Sequence, residues 1–216
     1  DGPMKIFSVL FCFICVFYTS NSLNAQDAYV LDEVPLNYKK RSPIYDYTEK
    51  NLNNTDTIPD FERRSSKLKI TGTIYQSDGV TPAKDIILYI YQPDESGNYV
   101  AKKKKGKRYV NHRGWVKTDT NGKYTFYAFV PGNAIEPLTY PRKIGPKQIH
   151  PIIKEPGIPE YSLDAFMFDE DPYLTDRCRK KLERIGYTGI VKLDKEQGLF
   201  VANRDIILKQ NIDSYK

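Results

Sequence analysis

Short stretches in which apolar and polar residues alternate, each closed by a turn, constrain this chain more than any other feature. Leu68-Lys69-Ile70-Thr71-Gly72-Thr73-Ile74-Tyr75 shows the pattern, and its period of two is that of a strand buried on one face. Ser77-Asp78-Gly79 turns the chain, and Asp85 to Gln92 reads as a second strand, more fully buried. Gly114 to Thr118, a hairpin turn at Thr120-Asn121-Gly122 and Lys123 to Phe129 follow, then strands over Ile149 to Lys154 and Leu163 to Phe168. Only Leu174 to Ile185 carries a helical period. Leu174, Cys178, Leu182 and Ile185 recur there on a basic background, and Gly186 stops the run. A last hairpin is expected to join Ile190-Val191-Lys192-Leu193 to Leu199 through Leu208 around Lys195-Glu196-Gln197-Gly198. The pattern predicts an all-β fold, an antiparallel β-sandwich of roughly seven to eight strands with one helix, about 174–185, on its C-terminal side. No Gly-rich phosphate loop and no βαβ alternation is present, which argues against nucleotide chemistry.

The N-terminal segment has a different character. Met4-Lys5 precedes an apolar run from Ile6 to Tyr18, and polar residues lead on to Leu23-Asn24-Ala25-Gln26. This is the layout of a secretory signal peptide, with cleavage expected after Ala25. The run falls short of the roughly 20 apolar residues of a membrane span. Cys12 and Cys15 lie inside it, far from the cleavage point, so a lipoprotein is not expected. The expected organisation is a signal peptide over 1–25, an extended arm over 26–66 and the sandwich domain over 67–210, in a secreted or periplasmic protein. Cys178 is then the only cysteine left, so no intrachain disulfide can form and stability must come from a core.

The net charge of +6 is concentrated locally. Lys102-Lys103-Lys104-Lys105-Gly106-Lys107-Arg108 places six bases in seven residues. Such a run is either a patch for nucleic acid or another acidic surface, or a solvated loop between strands. No aromatic residue interleaves it to stack on bases, and export removes the protein from nucleic acid. The loop reading is preferred, and no nucleic-acid partner is expected.

Few residues offer themselves for catalysis. The chain has only two histidines, His112 and His150, and no Gly-x-Ser-x-Gly elbow. Cys178 sits on the apolar stripe of the predicted helix, where a core thiol is expected rather than a nucleophile. One exported cysteine and two histidines do not make a zinc site. Asp169, Glu170 and Asp171 adjoin one another and read as solvated loop acids. Tyrosine is abundant, at 17 residues.

Several blocks in order carry a resemblance. They are Leu68 to Tyr75, Gly79-Val80-Thr81-Pro82-Ala83-Lys84-Asp85 and Tyr91-Gln92-Pro93-Asp94-Glu95-Ser96-Gly97-Asn98-Tyr99. Next come Arg113-Gly114-Trp115-Val116-Lys117-Thr118-Asp119, Asn121 to Phe126 and Pro131-Gly132. The last are Ile149-His150, Phe166-Met167-Phe168 and Asp171-Pro172. Over about 68–175 the chain resembles the intradiol ring-cleavage dioxygenases, the family of the catechol and protocatechuate dioxygenases. The resemblance implies a non-haem Fe(III) centre held by two tyrosines and two histidines. Tyr99 matches the first tyrosine, at the end of Gly97-Asn98-Tyr99. Tyr140, in Tyr140-Pro141 ahead of the histidine motif, matches the second, with 133–139 as an insertion. Counting from Pro131-Gly132 without that insertion would put Ala134 there instead. The histidine motif reads Pro146-Lys147-Gln148-Ile149-His150, so one histidine is present and Gln148 takes the place of the other.

Fe(III) is a hard acid that favours phenolate oxygen, with imidazole completing a site open to substrate. The resemblance implies a small aromatic diol as substrate, opened between its hydroxylated carbons with dioxygen. Gln148 and His150 are two apart on one strand and therefore share a face. The glutamine amide oxygen is a weaker donor than imidazole. Gly145 stands where many members of the family carry an arginine. His112 is a candidate replacement ligand or a loop histidine bonded to a neighbour. Arg113 either orients an anionic substrate or anchors its loop. The alternative function is a β-sandwich that has lost iron and serves as a binding or surface-associated module.

Overall fold

The alternating strands assemble as two stacked sheets. The protein was analysed as a computed structural model that describes residues 36–48, 52–135 and 144–209. The signal segment read over 1–25 and the candidate ligand Tyr140 lie outside these residues. The chain divides into Asp1–Leu36 and Asn37–Lys216, and the architecture that follows is that of the second unit.

Strands are numbered along the chain. The first sheet runs β1 (Thr55–Thr57), β7 (Lys123–Phe129), β2 (Lys67–Tyr75), β14 (Leu199–Asn203) and β13 (Asp194–Glu196), with β15 (Ile206–Ile207) also on β2. The second runs β12 (Ile190–Val191), β11 (Phe166–Phe168), β9 (Ile144–Lys154), β3 (Ile87–Tyr91) and β6 (Arg113–Lys117). Two further strands, β8 (Asn133–Ile135) and β10 (Tyr161–Ser162), also pair with β9. A separate ribbon joins β4 (Ala101–Lys104) to β5 (Lys107–Val110).

Alternation explains the core. Leu68, Ile70 and Ile74 of β2 and Tyr124, Phe126 and Ala128 of β7 face Leu88 and Ile90 of β3 and Ile149 and Ile153 of β9. All are buried, and each large apolar side chain contributes about 2 kcal/mol of transfer free energy. Gly72 is required where β2 passes the Arg204 carbonyl, whose oxygen would lie 2.0 Å from an added Cβ. The Tyr124 hydroxyl donates to that same oxygen at 2.6 Å.

The other face of β3 is covered as well. Ile87 and Tyr89 form a second buried cluster with Ile44, against which Tyr45, Tyr47, Leu52 and Trp115 pack. The Trp115 indole donates to the Ile44 carbonyl at 3.2 Å. β3 is thus buried on both sides, as its continuous apolar run requires.

The fold is all-β with one helix, but both sheets are mixed. The pairs β2–β7, β3–β6 and β3–β9 are antiparallel, as expected. The pairs β1–β7, β2–β14, β2–β15 and β11–β12 are parallel. Parallel neighbours need crossover connections, and a sandwich supplies them by passing the chain between its sheets. The turn at Asn121-Gly122 is such a passage, not a hairpin, because β6 lies in one sheet and β7 in the other. The C-terminal hairpin is also displaced. It joins β13 to β14 through Gln197-Gly198, both at positive φ, while Ile190-Val191 pairs with β11 across the sandwich. Most of the unforeseen strands are two to four residues long, too short to establish a period.

The basic run is itself a hairpin, turning at Lys105-Gly106 with φ of 46° and 81°. The helix, α1, spans Asp176–Arg184, with the Thr175 hydroxyl accepting from the Cys178 amide at 3.3 Å. It buries none of its residues fully. Cys178 is half-buried, not the core thiol expected, because the helix lies on the surface of the sandwich rather than between its sheets.

Candidate metal centre

The outward face of the second sheet gathers the residues singled out by sequence. In register, Tyr91 of β3 stands between Arg113 of β6 and His150 of β9. Tyr89 stands between Trp115 and Ile152 in the next row. Gln148, two residues before His150, is paired with Met167 of β11. Since Ile149 and Ile153 point into the core, Gln148 and His150 point outward together.

Tyr99 reaches this face from the loop after β3. Asp94 winds the loop tight, its carboxylate accepting from the Ser96 and Asn98 amides at 2.9 Å. Gly97 closes the turn with φ of 83°, against the Asn133 carbonyl. The Tyr99 hydroxyl then lies 2.7 Å from His150 Nε2. Tyr91 backs the imidazole, its ring stacked on that of His150 with centroids 4.8 Å apart and planes inclined by 21°.

Burial sets the protonation of this pair. It pushes the Tyr99 phenol up to about 12, with a smaller contribution from nearby Tyr91. It lowers the His150 imidazole below its ordinary value. Near neutrality both groups are uncharged, and which of them donates in the hydrogen bond depends on which ring nitrogen carries the imidazole proton. The Gln148 side chain has no hydrogen-bond partner among the described residues.

The beginning of β9 is pinned by Asp171. Its carboxylate accepts from Asn133 Nδ2 at 3.1 Å, from the Lys147 amide at 2.5 Å and from the Tyr173 amide at 2.9 Å. Asp171 is therefore buried, at 5% exposure, not the solvated loop acid expected from its acidic neighbours. Three backbone and side-chain donors stabilise it in place of water. Segment 136–143, which carries Tyr140 and lies between β8 and β9 in the sequence, is outside the described residues.

The other two candidates are placed elsewhere. His112 is 1% exposed, with Nε2 3.1 Å from the Asp60 carboxylate and its ring set edge-on to Phe129 at 5.0 Å. It belongs to the core side of the sheet, so the structure does not bring it to His150 as a replacement ligand. Arg113 lies on the correct face but is enclosed. Its guanidinium sits 3.8 Å from the Tyr109 ring and 4.8 Å from the Trp115 ring, and 3.8 Å from Asp46. Those contacts make it a packing and charge-balancing residue, the loop-anchoring alternative.

Beside the pair opens a cleft of about 350 Å³, with Tyr89, Tyr91, Tyr109, Val110 and Ile152 among its lining and Arg108 at its rim. Sequence reading did not single these residues out. The signal was present in the alternation of β3, where Tyr89 and Tyr91 share the face opposite Leu88 and Ile90.

The donors suit a hard metal ion. Two ligands about 2 Å from one ion and at right angles are about 2.8 Å apart, and Tyr99 Oη and His150 Nε2 are separated by 2.7 Å. The unpartnered Gln148 amide oxygen is a further hard donor on the same face. No group of three His, Cys, Asp or Glu side chains gathers among the described residues, so such a centre must rest on tyrosine.

Comparison with known proteins bears on the scaffold. No family model matches the sequence, and no curated protein matches it. Solved structures do. The dioxygenase domain of a dioxygenase carbohydrate-binding protein fusion from Streptomyces sp. SirexAA-E superposes with a TM-score of 0.54 at 17% identity, over 76% of this chain and 94% of that one. Catechol 1,2-dioxygenase from Acinetobacter sp. ADP1, inhibited by bound mercury, gives 0.57 at 17% identity, over 74% of this chain and 58% of the other. Hydroxyquinol 1,2-dioxygenase from Pseudomonas putida DLL-E4 gives 0.54 at 17%, over 76% and 64%. The chain has the intradiol dioxygenase fold. It spans about three fifths of the length of the catechol and hydroxyquinol enzymes. At these identities the likeness establishes the intradiol scaffold, while the chemistry rests on the side chains. Among the described residues no helix is long and apolar enough to cross a membrane.

Proposed function

We propose that this is an exported intradiol dioxygenase-type protein that holds non-haem Fe(III) through Tyr99, Tyr140 and His150, with Gln148 as a weak fourth donor, and opens a catechol-type diol with dioxygen. The observation that carries the reading is the approach of the Tyr99 hydroxyl to His150 Nε2 at 2.7 Å, across 51 residues of sequence. The neighbouring structures are enzymes of catechol and hydroxyquinol, and an aromatic cleft lies beside the pair here. The iron, when bound, supplies the Lewis acidity and redox partner that make an aromatic diol reactive toward dioxygen.

The chain's own residues prepare the site. Burial keeps the Tyr99 phenol protonated beside His150 Nε2, and Tyr99 would have to give up that proton to hold iron as phenolate. The Tyr91 ring fixes the imidazole plane and presents an apolar wall to a flat substrate. The tyrosine-lined cleft offers apolar faces to a flat ring. Asp171 positions Lys147, and through it the strand that carries Gln148 and His150.

One observation favours a second reading. Gln148 stands where the resemblance implies a second, stronger imidazole donor, as in a sandwich retained as a binding module. Protein treated with Fe(III) and supplied with catechol under oxygen separates the two. Production of a ring-opened diacid, abolished in Tyr99→Phe, supports the enzyme. Protein that takes up no iron and leaves catechol unchanged supports the module. Export rests on the sequence of 4–25, and a mature N-terminus at Gln26 in protein collected outside the cytoplasm is the expected result.

A further inference from the structure

Two parts of the molecule far apart in sequence bring their cations together. The β4–β5 hairpin carries Lys102, Lys103, Lys104 and Arg108, all exposed. Lys39 and Lys40, also exposed, come from the N-terminal segment. The Lys39 stem crosses the hairpin tip so closely that a Cβ on Gly106 would lie 2.8 Å from its Cε. None of these six cations forms an ion pair with a described residue.

The acids of the region are already used. Within 37–48 and 99–113 the only carboxylate is Asp46. Its side chain is 4% exposed and is met by Lys107 at 2.8 Å, Arg41 at 3.3 Å and Arg113 at 3.8 Å. Lys103 stands directly opposite Arg108, and Lys104 opposite Lys107. Like charges facing across a ladder weaken it, and here no acid is interposed. The hairpin therefore folds against its own repulsion, and a multivalent anion would relieve that.

The kind of anion follows from what surrounds the charges. Single-stranded nucleic acid is held by aromatic faces interleaved with cations, and no aromatic residue lies within Lys102 to Arg108. The Tyr109 ring is covered by Arg113 at 3.8 Å, and Tyr38 has Arg41 at 5.3 Å and Lys107 at 5.1 Å. Docking on a lipid surface adds apolar insertion to charge, whereas the hairpin tip is Lys105-Gly106. The exposed cations occupy both faces of the ribbon, since side chains alternate along each strand. Lysine, a compact charge on a flexible stem, suits an extended chain with repeated anionic groups.

We propose that the β4–β5 hairpin and Lys39–Lys40 form a docking site for an acidic polysaccharide, a chain bearing repeated sulfate or carboxylate groups. The site is independent of iron. Binding draws on displacement of counterions and weakens steeply with salt.

The test uses the mature protein with heparin and polygalacturonate as sulfated and carboxylated probes. A variant combining Lys102→Gln, Lys103→Gln, Lys104→Gln and Arg108→Gln is compared with one combining Arg177→Gln, Lys180→Gln, Lys181→Gln and Arg184→Gln on α1. Both remove four positive charges, so net charge is matched. The hairpin variant is expected to lose affinity by about tenfold or more near 0.15 M salt, and the helix variant by less than about twofold. Equal losses would mean bulk charge attraction and would overturn the site. So would hairpin-dependent binding to single-stranded DNA or phosphatidylglycerol vesicles without binding to either polysaccharide.

Discussion

The two histidines are set in opposite ways within one sheet. His112 is 1% exposed, edge-on to Phe129, and its Nε2 meets a carboxylate, Asp60. His150 is partly exposed, stacked on Tyr91, and its Nε2 meets the Tyr99 phenol. A carboxylate partner ties the buried imidazole to the scaffold. A phenol at the surface offers a second hard donor beside it, which is what a ferric ion requires. The difference shows that partner and depth, not residue type, separate the core histidine from the one at the proposed site.

The largest expected contrast is in stability. His112→Ala opens a cavity beside Phe129, at a cost of about 3 kcal/mol, while Asp60 keeps its pairs with Arg63 and Arg64. His150→Ala removes a half-buried ring from the outer face and costs about 1 kcal/mol or less. Urea denaturation of the two variants measures both. Equal costs would erase the distinction between scaffold and site.

Next in size is the effect of restoring the missing imidazole. Gln148→His places a stronger donor two residues from His150 on the same face. It is expected to tighten Fe(III) retention against a chelator on the order of tenfold. No change in retention would mean that Gln148 does not face the ion.

The smallest effect separates the histidines by acid. The hydrogen bond from His112, followed in weight by the Arg63 charge, holds the Asp60 carboxyl below its ordinary value. A carboxyl lowered in the folded state adds stability that is complete above about pH 3.9 and is lost as pH falls through its lower folded value. His112→Phe is expected to flatten that acid limb of the stability curve, whereas His150→Phe leaves it intact.

The fold was largely legible because strands such as Lys67–Tyr75 and Lys123–Phe129 are long enough to show alternation. Parallel pairing was not, since the partner of a strand is decided by crossings between sheets that no local pattern records. The proposed ligands Tyr99, Gln148 and His150 were singled out through spacing and resemblance, and the structure sets Tyr99 against His150. Tyr91 as the ring behind His150 was not, because it depends on cross-strand register. Asp171 looked like one of three loop acids until its three donors were seen. Lys107 looked like one more base of a run, yet it is the one turned inward to Asp46.

Ferric loading of the mature protein tests the iron reading most directly. A broad visible tyrosinate-to-iron band is expected, giving a reddish protein. The band should be shifted or lost in Tyr99→Phe, and iron should be released more readily in His150→Ala. A colourless protein that takes up no iron, or a coloured one indifferent to Tyr99→Phe, would contradict the assignment of Tyr99 and His150 to a shared metal centre.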